Sequence, residues 1–200
     1  MQDLFEFDKT ELVKTKEKKE SKLLTKEQKQ KLRYSKRDDN CEMLLKEKGG
    51  FPKQSEFYAF KTSGETDAGS FFTYALRNWE TIAEMYLATW TISRHNVGRI
   101  REAVESGKLQ KLTFIISNTM KPANPALYNH LITEMKALDQ VTIKEAPSHA
   151  KTFSIWDGKN NYITVSGSAN WSKNPRIENY LLFNDVDLFN HHKEWMNELT

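Results

Sequence analysis

The sequence predicts an α/β sandwich built on a mixed β-sheet and preceded by a charged N-terminal arm. Three observations lead there. Strand-like and helix-like runs alternate from about residue 87 onward, which argues for crossover connections. A hairpin-turn sequence at Asp157–Asn161 adds antiparallel pairing to that pattern. The basic charge is concentrated at the start of the chain rather than spread along it.

Residues 1–45, rich in Lys, Glu, Gln and Leu, read as an arm with helical propensity. Between Lys9 and Arg37, 12 basic residues stand against 4 acidic ones, a local charge of +8 within a chain of net +3. The remainder is mildly acidic. Such an arm suits polynucleotide contact, and a solvated extension that aids solubility is the other reading. Gly49-Gly50-Phe51-Pro52 breaks the segment and places the globular body at 46–200. The polar loop Thr62–Ser70 precedes a helix in which Phe72, Leu76, Trp79, Ile82, Ala83 and Tyr86 recur at three- and four-residue spacing. Leu87–Ile92 reads as a short strand. Asn96 is expected to cap a helix with Val97, Ile100, Ala103 and Val104 inward, and Gly107 to stop it. Leu112–Ile116 is a continuous apolar run, as in a strand covered on both faces. Asn124-Pro125 opens the next helix, with Leu127, Leu131, Met135 and Leu138 inward. Strands follow at Val141–Ile143, Thr152–Trp156, Tyr162–Val165 and Tyr180–Phe183. An amphipathic helix with Leu188, Trp195, Met196 and Leu199 ends the chain.

Composition narrows the function classes. Apolar residues make up 38% and aromatic residues 12%, too many for a wholly disordered chain. No run approaches the ~20 apolar residues of a membrane span, and Met1–Lys22 has no signal-peptide core. A single cysteine, Cys41, excludes an internal disulfide framework and suits a reducing cytosol. The expectation is a soluble cytoplasmic protein.

The chemistry lies late in the chain. His149 and Lys151, two apart at a strand start, project the same way. If the strands around Asp157–Asn161 pair, their far ends bring these two residues to Gly167-Ser168-Ala169-Asn170. An imidazole serves as nucleophile or general acid. Ammonium, hydroxyl and carboxamide groups donate to an oxyanion, and a glycine permits close backbone approach. A carboxylate such as Glu178 could orient the imidazole. Donors around a nucleophilic histidine suit a phosphodiester, whose transition state carries negative charge on its equatorial oxygens.

His149-Ala150-Lys151 with Gly167-Ser168-Ala169-Asn170 resembles the HKD signature of the phospholipase D superfamily, His-x-Lys followed by Gly-Ser-x-Asn. Motif and element order carry the resemblance over Leu87–Leu199. It implies a phospholipase-D-like αβα sandwich of the small, single-motif nuclease type found in phage and bacteria. Two motifs make one site in that family, so it also implies a homodimer. Position by position, His149 would form a phosphohistidine and His149 of the partner subunit would protonate the leaving oxygen. Lys151, Ser168 and Asn170 would hold the phosphate, and Glu178 would hydrogen-bond a histidine. No metal or other cofactor is implied.

One position departs from the pattern. The family's aspartate follows the lysine with four residues between, and here that residue is Trp156; Asp157, before Gly158, reads as a turn former. The sequence therefore supports a metal-independent phosphodiesterase, foremost a nuclease acting on DNA rather than RNA. The alternative is a catalytically weak or inactive module of the same fold that binds DNA or recruits a partner. Gly167, Trp171 and Arg176 are expected to bind substrate. Trp90, Trp156 and Trp171 are the candidates for stacking on bases; core filling is the reading for Trp90, and Trp171 stays open between core and stacking. His191, His192 and Glu194 could suggest metal ligation, but a solvated helix face with His192 partly packed is the reading adopted. Gln2–Phe7 loosely resembles a sliding-clamp-binding peptide, a pattern that also arises by chance.

Overall fold

Side chains that alternate along the strands sort into two hydrophobic clusters, one on each face of a single sheet. Met85 and Leu87 join the larger cluster, while Tyr86 and Ala88 join the smaller one. A computed structural model describes residues 25–172 and 176–199. The elements run α1 (Lys26–Glu47), β1 (Phe57–Thr62), α2 (Ala68–Asn78), β2 (Glu84–Thr89), α3 (Arg94–Glu105) and β3 (Leu112–Ser117). They continue with α4 (Met120–Ala123), α5 (Pro125–Lys136), β4 (Val141–Ala146), β5 (Thr152–Trp156), β6 (Tyr162–Gly167), β7 (Glu178–Asn184) and α6 (Val186–Glu198). The sheet has seven strands in the order β1-β7-β6-β5-β2-β3-β4. β2, β3 and β4 are parallel; β5, β6, β7 and β1 add antiparallel neighbours. This is the mixed α/β sheet flanked by helices that the sequence predicts.

The chain divides into two units at the Lys36–Arg37 boundary. In the first, Thr25 and Gln28 form a reciprocal capping box that starts α1: Gln28 N donates to Thr25 Oγ1 (3.1 Å) and Thr25 N to Gln28 Oε1 (2.9 Å). In the second, Cys41 and Leu45 are fully buried in the larger cluster, and Asp38 pairs with Arg99 at 2.7 Å. Cys41 is thus a core residue rather than an arm residue, and burial pushes its thiol pKa well up. The clamp-like Gln2–Phe7 lies outside the described residues.

Three local expectations are corrected by tertiary pairing. The helix expected to reach Tyr86 ends at Asn78, where Trp79 turns to an extended conformation and its N–H donates to Ala75 O. The spacing of Ile82 and Tyr86 mimics a helix, but Ile82 bridges to Leu109 and Tyr86 pairs with Thr113 in the sheet. The following strand is accordingly Glu84–Thr89 rather than Leu87–Ile92, and Ile92 bridges instead to Trp171. Ser93, not Asn96, caps α3 by accepting from Asn96 N, whereas Asn124 caps α5 as expected. β1 has no counterpart in the sequence reading.

α6 covers the smaller cluster and carries a half-buried titratable group, His192, against the sheet. His192 Nδ1 lies 2.7 Å from Ser154 Oγ, itself 2.7 Å from Thr164 Oγ1. Burial, and secondarily His191, lowers the His192 pKa to about 4. An unfolded histidine titrates near 6.5, so the unfolded chain binds this proton first as pH falls. The contribution is complete above about pH 6.5 and is lost progressively down to about pH 4, roughly 2 kcal/mol after allowance for partial exposure. Urea midpoints at pH 7 and pH 4.5 should therefore differ less in His192→Gln than in the parent chain.

Candidate active site

Antiparallel pairing at the centre of the sheet brings distant segments to one edge. Ala88 pairs with Thr152, Thr152 with Ser166, and Gly167 with Tyr180. The carboxyl ends of β2, β3 and β4, the start of β5, the end of β6 and the start of β7 therefore lie along the same edge. Crevices beyond the carboxyl ends of parallel strands are the usual ligand sites of open α/β sheets. His149, Lys151, Ser168, Asn170 and Glu178 all belong to this edge.

His149 precedes β5 and is exposed. Lys151 Nζ lies 3.1 Å from His149 Nδ1 and donates to the His149 carbonyl at 3.0 Å. Burial lowers the Lys151 pKa from its ordinary value, and the Glu178 carboxylate opposes that shift. Gly167 N donates to the Lys151 carbonyl at 3.1 Å, so the two halves of the motif share a backbone hydrogen bond across the strand ends. Ser168 Oγ donates to Glu178 Oε2 and accepts from Asn179 N at 3.0 Å. Glu178 is 5% exposed, with Ser168 over it. Asn170 is half-buried, and its Oδ1 has no hydrogen-bond partner among the described residues.

Gly167 is required by a close approach. A Cβ there would lie 2.5 Å from the Asn179 carbonyl oxygen and 2.9 Å from Tyr180 Cδ1. Only glycine lets β6 reach β7 at this point and present Ser168 above Glu178.

The remaining expectations divide. Trp171 does not line the site: it is 1% exposed, with its ring 5.1 Å from Phe153 and 5.7 Å from Phe72. It is a core residue, unavailable for stacking on a base. Arg176 is exposed just before β7. Asp157 is a turn former, its Oδ1 accepting from Lys159 N (2.8 Å) and Asn161 N (3.1 Å). Trp156, in the position of the family's aspartate, is at the opposite end of β5 from Lys151 and stacks on Tyr162. The departure from the motif therefore lies at the far end of β5 from His149 and Lys151. Among the described residues, no three His, Cys, Asp or Glu side chains gather as a metal site.

Trp90, a stacking candidate that the sequence reading assigned to the core, lies at this edge. Its ring lies 6.2 Å from that of His149, beyond the end of β2, with Ser117 and Thr119 beside it at the end of β3. A signal for it existed: a bulky aromatic immediately after a strand that pairs with the motif strand falls on the edge where the motif lies.

No family model and no curated protein matches the chain. In fold it is similar to a phospholipase D family member. That protein is Nuc from Salmonella typhimurium, 13% identical, with 72% of this chain and 92% of that one covered and a TM-score of 0.49. Polyphosphate kinase from Porphyromonas gingivalis is 15% identical, with 70% of this chain covered and a TM-score of 0.49. Yeast tyrosyl-DNA phosphodiesterase is 12% identical over 52% of this chain, with a TM-score of 0.33. The chain spans 25% of the kinase's length and 26% of the phosphodiesterase's.

Proposed function

We propose that the protein is a metal-independent phosphodiesterase of the phospholipase D type, cleaving nucleic acid as a homodimer. The observation that carries this reading is the Lys151 ammonium held against the exposed His149 ring, on the same sheet edge as Ser168 and Asn170. The imidazole nitrogen attacks phosphorus as the bond to the leaving oxygen breaks, and that oxygen takes a proton from His149 of the partner subunit. Water then attacks the phosphohistidine, giving its proton back to that histidine and restoring free His149. Lys151 and Asn170 donate to the equatorial oxygens, whose charge grows in both steps, and Ser168 joins them when its hydroxyl turns from Glu178 to the phosphate. Glu178 is a positioning residue, because its carboxylate holds the Ser168 hydroxyl.

A single His-x-Lys and a single Gly-Ser-x-Asn supply half of the expected site, and a second copy would complete it. Basic residues concentrated between Lys9 and Arg37 favour polynucleotide over lipid, with affinity gained through counterion release. Among the described residues, no helix is long and apolar enough to cross a membrane.

The test is cleavage of plasmid and single-stranded DNA in EDTA, combined with sedimentation. Cutting by a species of twice the 23.4 kDa chain mass is the expected result. Binding without cutting would instead favour an inactive module of the same fold, and a monomer that cuts would remove the composite site.

A further inference from the structure

Trp90 is placed unlike the other tryptophans of the chain. Trp171 lies within the larger hydrophobic cluster and Trp79 packs against it, while Trp156 and Trp195 pack against the smaller one. Trp90 belongs to neither cluster, so its large apolar surface does little for the core. Its orientation is nevertheless fixed. The indole Nε1–H donates to Thr119 Oγ1 at 2.7 Å, and Thr119 Oγ1 lies 2.8 Å from Ser117 Oγ. The polar edge is thereby anchored to the end of β3 while the ring stays half-buried, tilted 45° to His149. A preorganised, partly open aromatic face beside a phosphate-binding group is what a flat, uncharged ring would recognise.

We infer that Trp90 is a stacking platform for an unpaired nucleobase next to the phosphate held at His149, which makes single-stranded nucleic acid the substrate class. The inference rests on the phosphodiesterase reading for the identity of the anion. It adds a residue and a substrate preference which that reading lacks. A nucleotide's base lies one sugar away from its phosphate, so a ring beside the imidazole is placed for a base when the imidazole faces phosphorus. Bases within a duplex are covered by their stacked neighbours, and their faces meet a protein aromatic only where the strand is open.

Binding tests this without turnover. In a His149→Ala background, tryptophan fluorescence and Kd are measured for a single-stranded oligonucleotide, its duplex and a base-free deoxyribose-phosphate strand of equal length. The single strand should quench the indole signal. Trp90→Ala should weaken its binding about ten-fold, while Trp90→Phe keeps it within about three-fold. The base-free strand should bind the parent and both variants alike. Equal loss on all three ligands, or no loss on the single strand, would overturn the platform, and a thermal melt of each variant identifies misfolding.

The two readings fail separately. If the chain with His149 intact does not cut in EDTA yet shows base-dependent quenching through Trp90, hydrolysis fails and stacking stands. If it cuts and Trp90→Ala leaves KM for single strands unchanged, hydrolysis stands and stacking fails.

Discussion

Replacing His149 by alanine is expected to reduce metal-free cleavage at least ~10³-fold in kcat/KM while changing DNA affinity less than about three-fold. A nucleophile that also starts the reaction chain takes both chemical steps with it when removed. Removing a charge-stabilising donor costs less, about 10²–10³-fold, so Lys151→Ala should fall short of the histidine variant. His149 is exposed, with its ring 6.2 Å from that of the half-buried Trp90, so its loss should leave the fold intact and the comparison clean. Lys151 is tied to it at 3.1 Å, and the double variant should cost little more than His149→Ala alone, because the two act on one event. Single-turnover cleavage in EDTA, with Kd from fluorescence anisotropy, measures both quantities. Cutting at the parental rate by His149→Ala would move the chemistry away from this strand edge altogether.

The parts of the fold legible in the sequence are those whose signal is local. Asp157–Asn161 announces its hairpin through turn chemistry, and the structure satisfies Asp157 within that turn. Leu112–Ile116 announces a strand covered on both faces, and all five residues are buried within the observed strand Leu112–Ser117. Elements defined by pairing were illegible. β1 is an edge strand of the sequence Phe-Tyr-Ala-Phe-Lys-Thr, whose register against β7 depends on residues more than a hundred positions away. Ile82 and Tyr86 have helical spacing relative to Phe72 and Trp79, yet bridging to Leu109 and pairing with Thr113 fix them in extended structure.

The candidate site shows the same division. Alternation along the strands and one hairpin were enough to bring Lys151 to Gly167. The partner of Glu178 was not, because Ser168 reaches it only through a β6–β7 approach that requires a glycine. Of the two tryptophans nearest the site, the sequence left Trp171 open between core and stacking and assigned Trp90 to the core. Sequence neighbours say that Trp171 follows the motif and that Trp90 ends an apolar run. They do not say which ring turns inward, and that depends on packing against Phe72 and Phe153 from other elements.

The burial of Trp171 has a measurable consequence in stability. Trp171→Ala should destabilise the fold by about 3–5 kcal/mol, the cost of deleting a fully buried indole and leaving a cavity. The ring contacts Phe153 edge-on at 5.1 Å and Phe72 at 5.7 Å, so its removal strips two aromatic partners at once. Its backbone is a junction as well, since the Trp171 carbonyl accepts from Ser93 N at 2.8 Å and from Asn96 Nδ2 at 3.0 Å. These bonds tie the start of α3 to the segment carrying Asn170. Being made by the Trp171 backbone, they survive the substitution, so weaker DNA binding should appear only where unfolding has begun. Trp171→Phe keeps an aromatic in the slot and should lose less, about 1–2 kcal/mol. Trp90→Ala, outside both clusters, should cost under about 1 kcal/mol. Urea denaturation of the three variants, with oligonucleotide binding measured well below their midpoints, separates core from contact. A stable Trp171→Ala that had lost base-dependent binding would place that indole at the substrate after all.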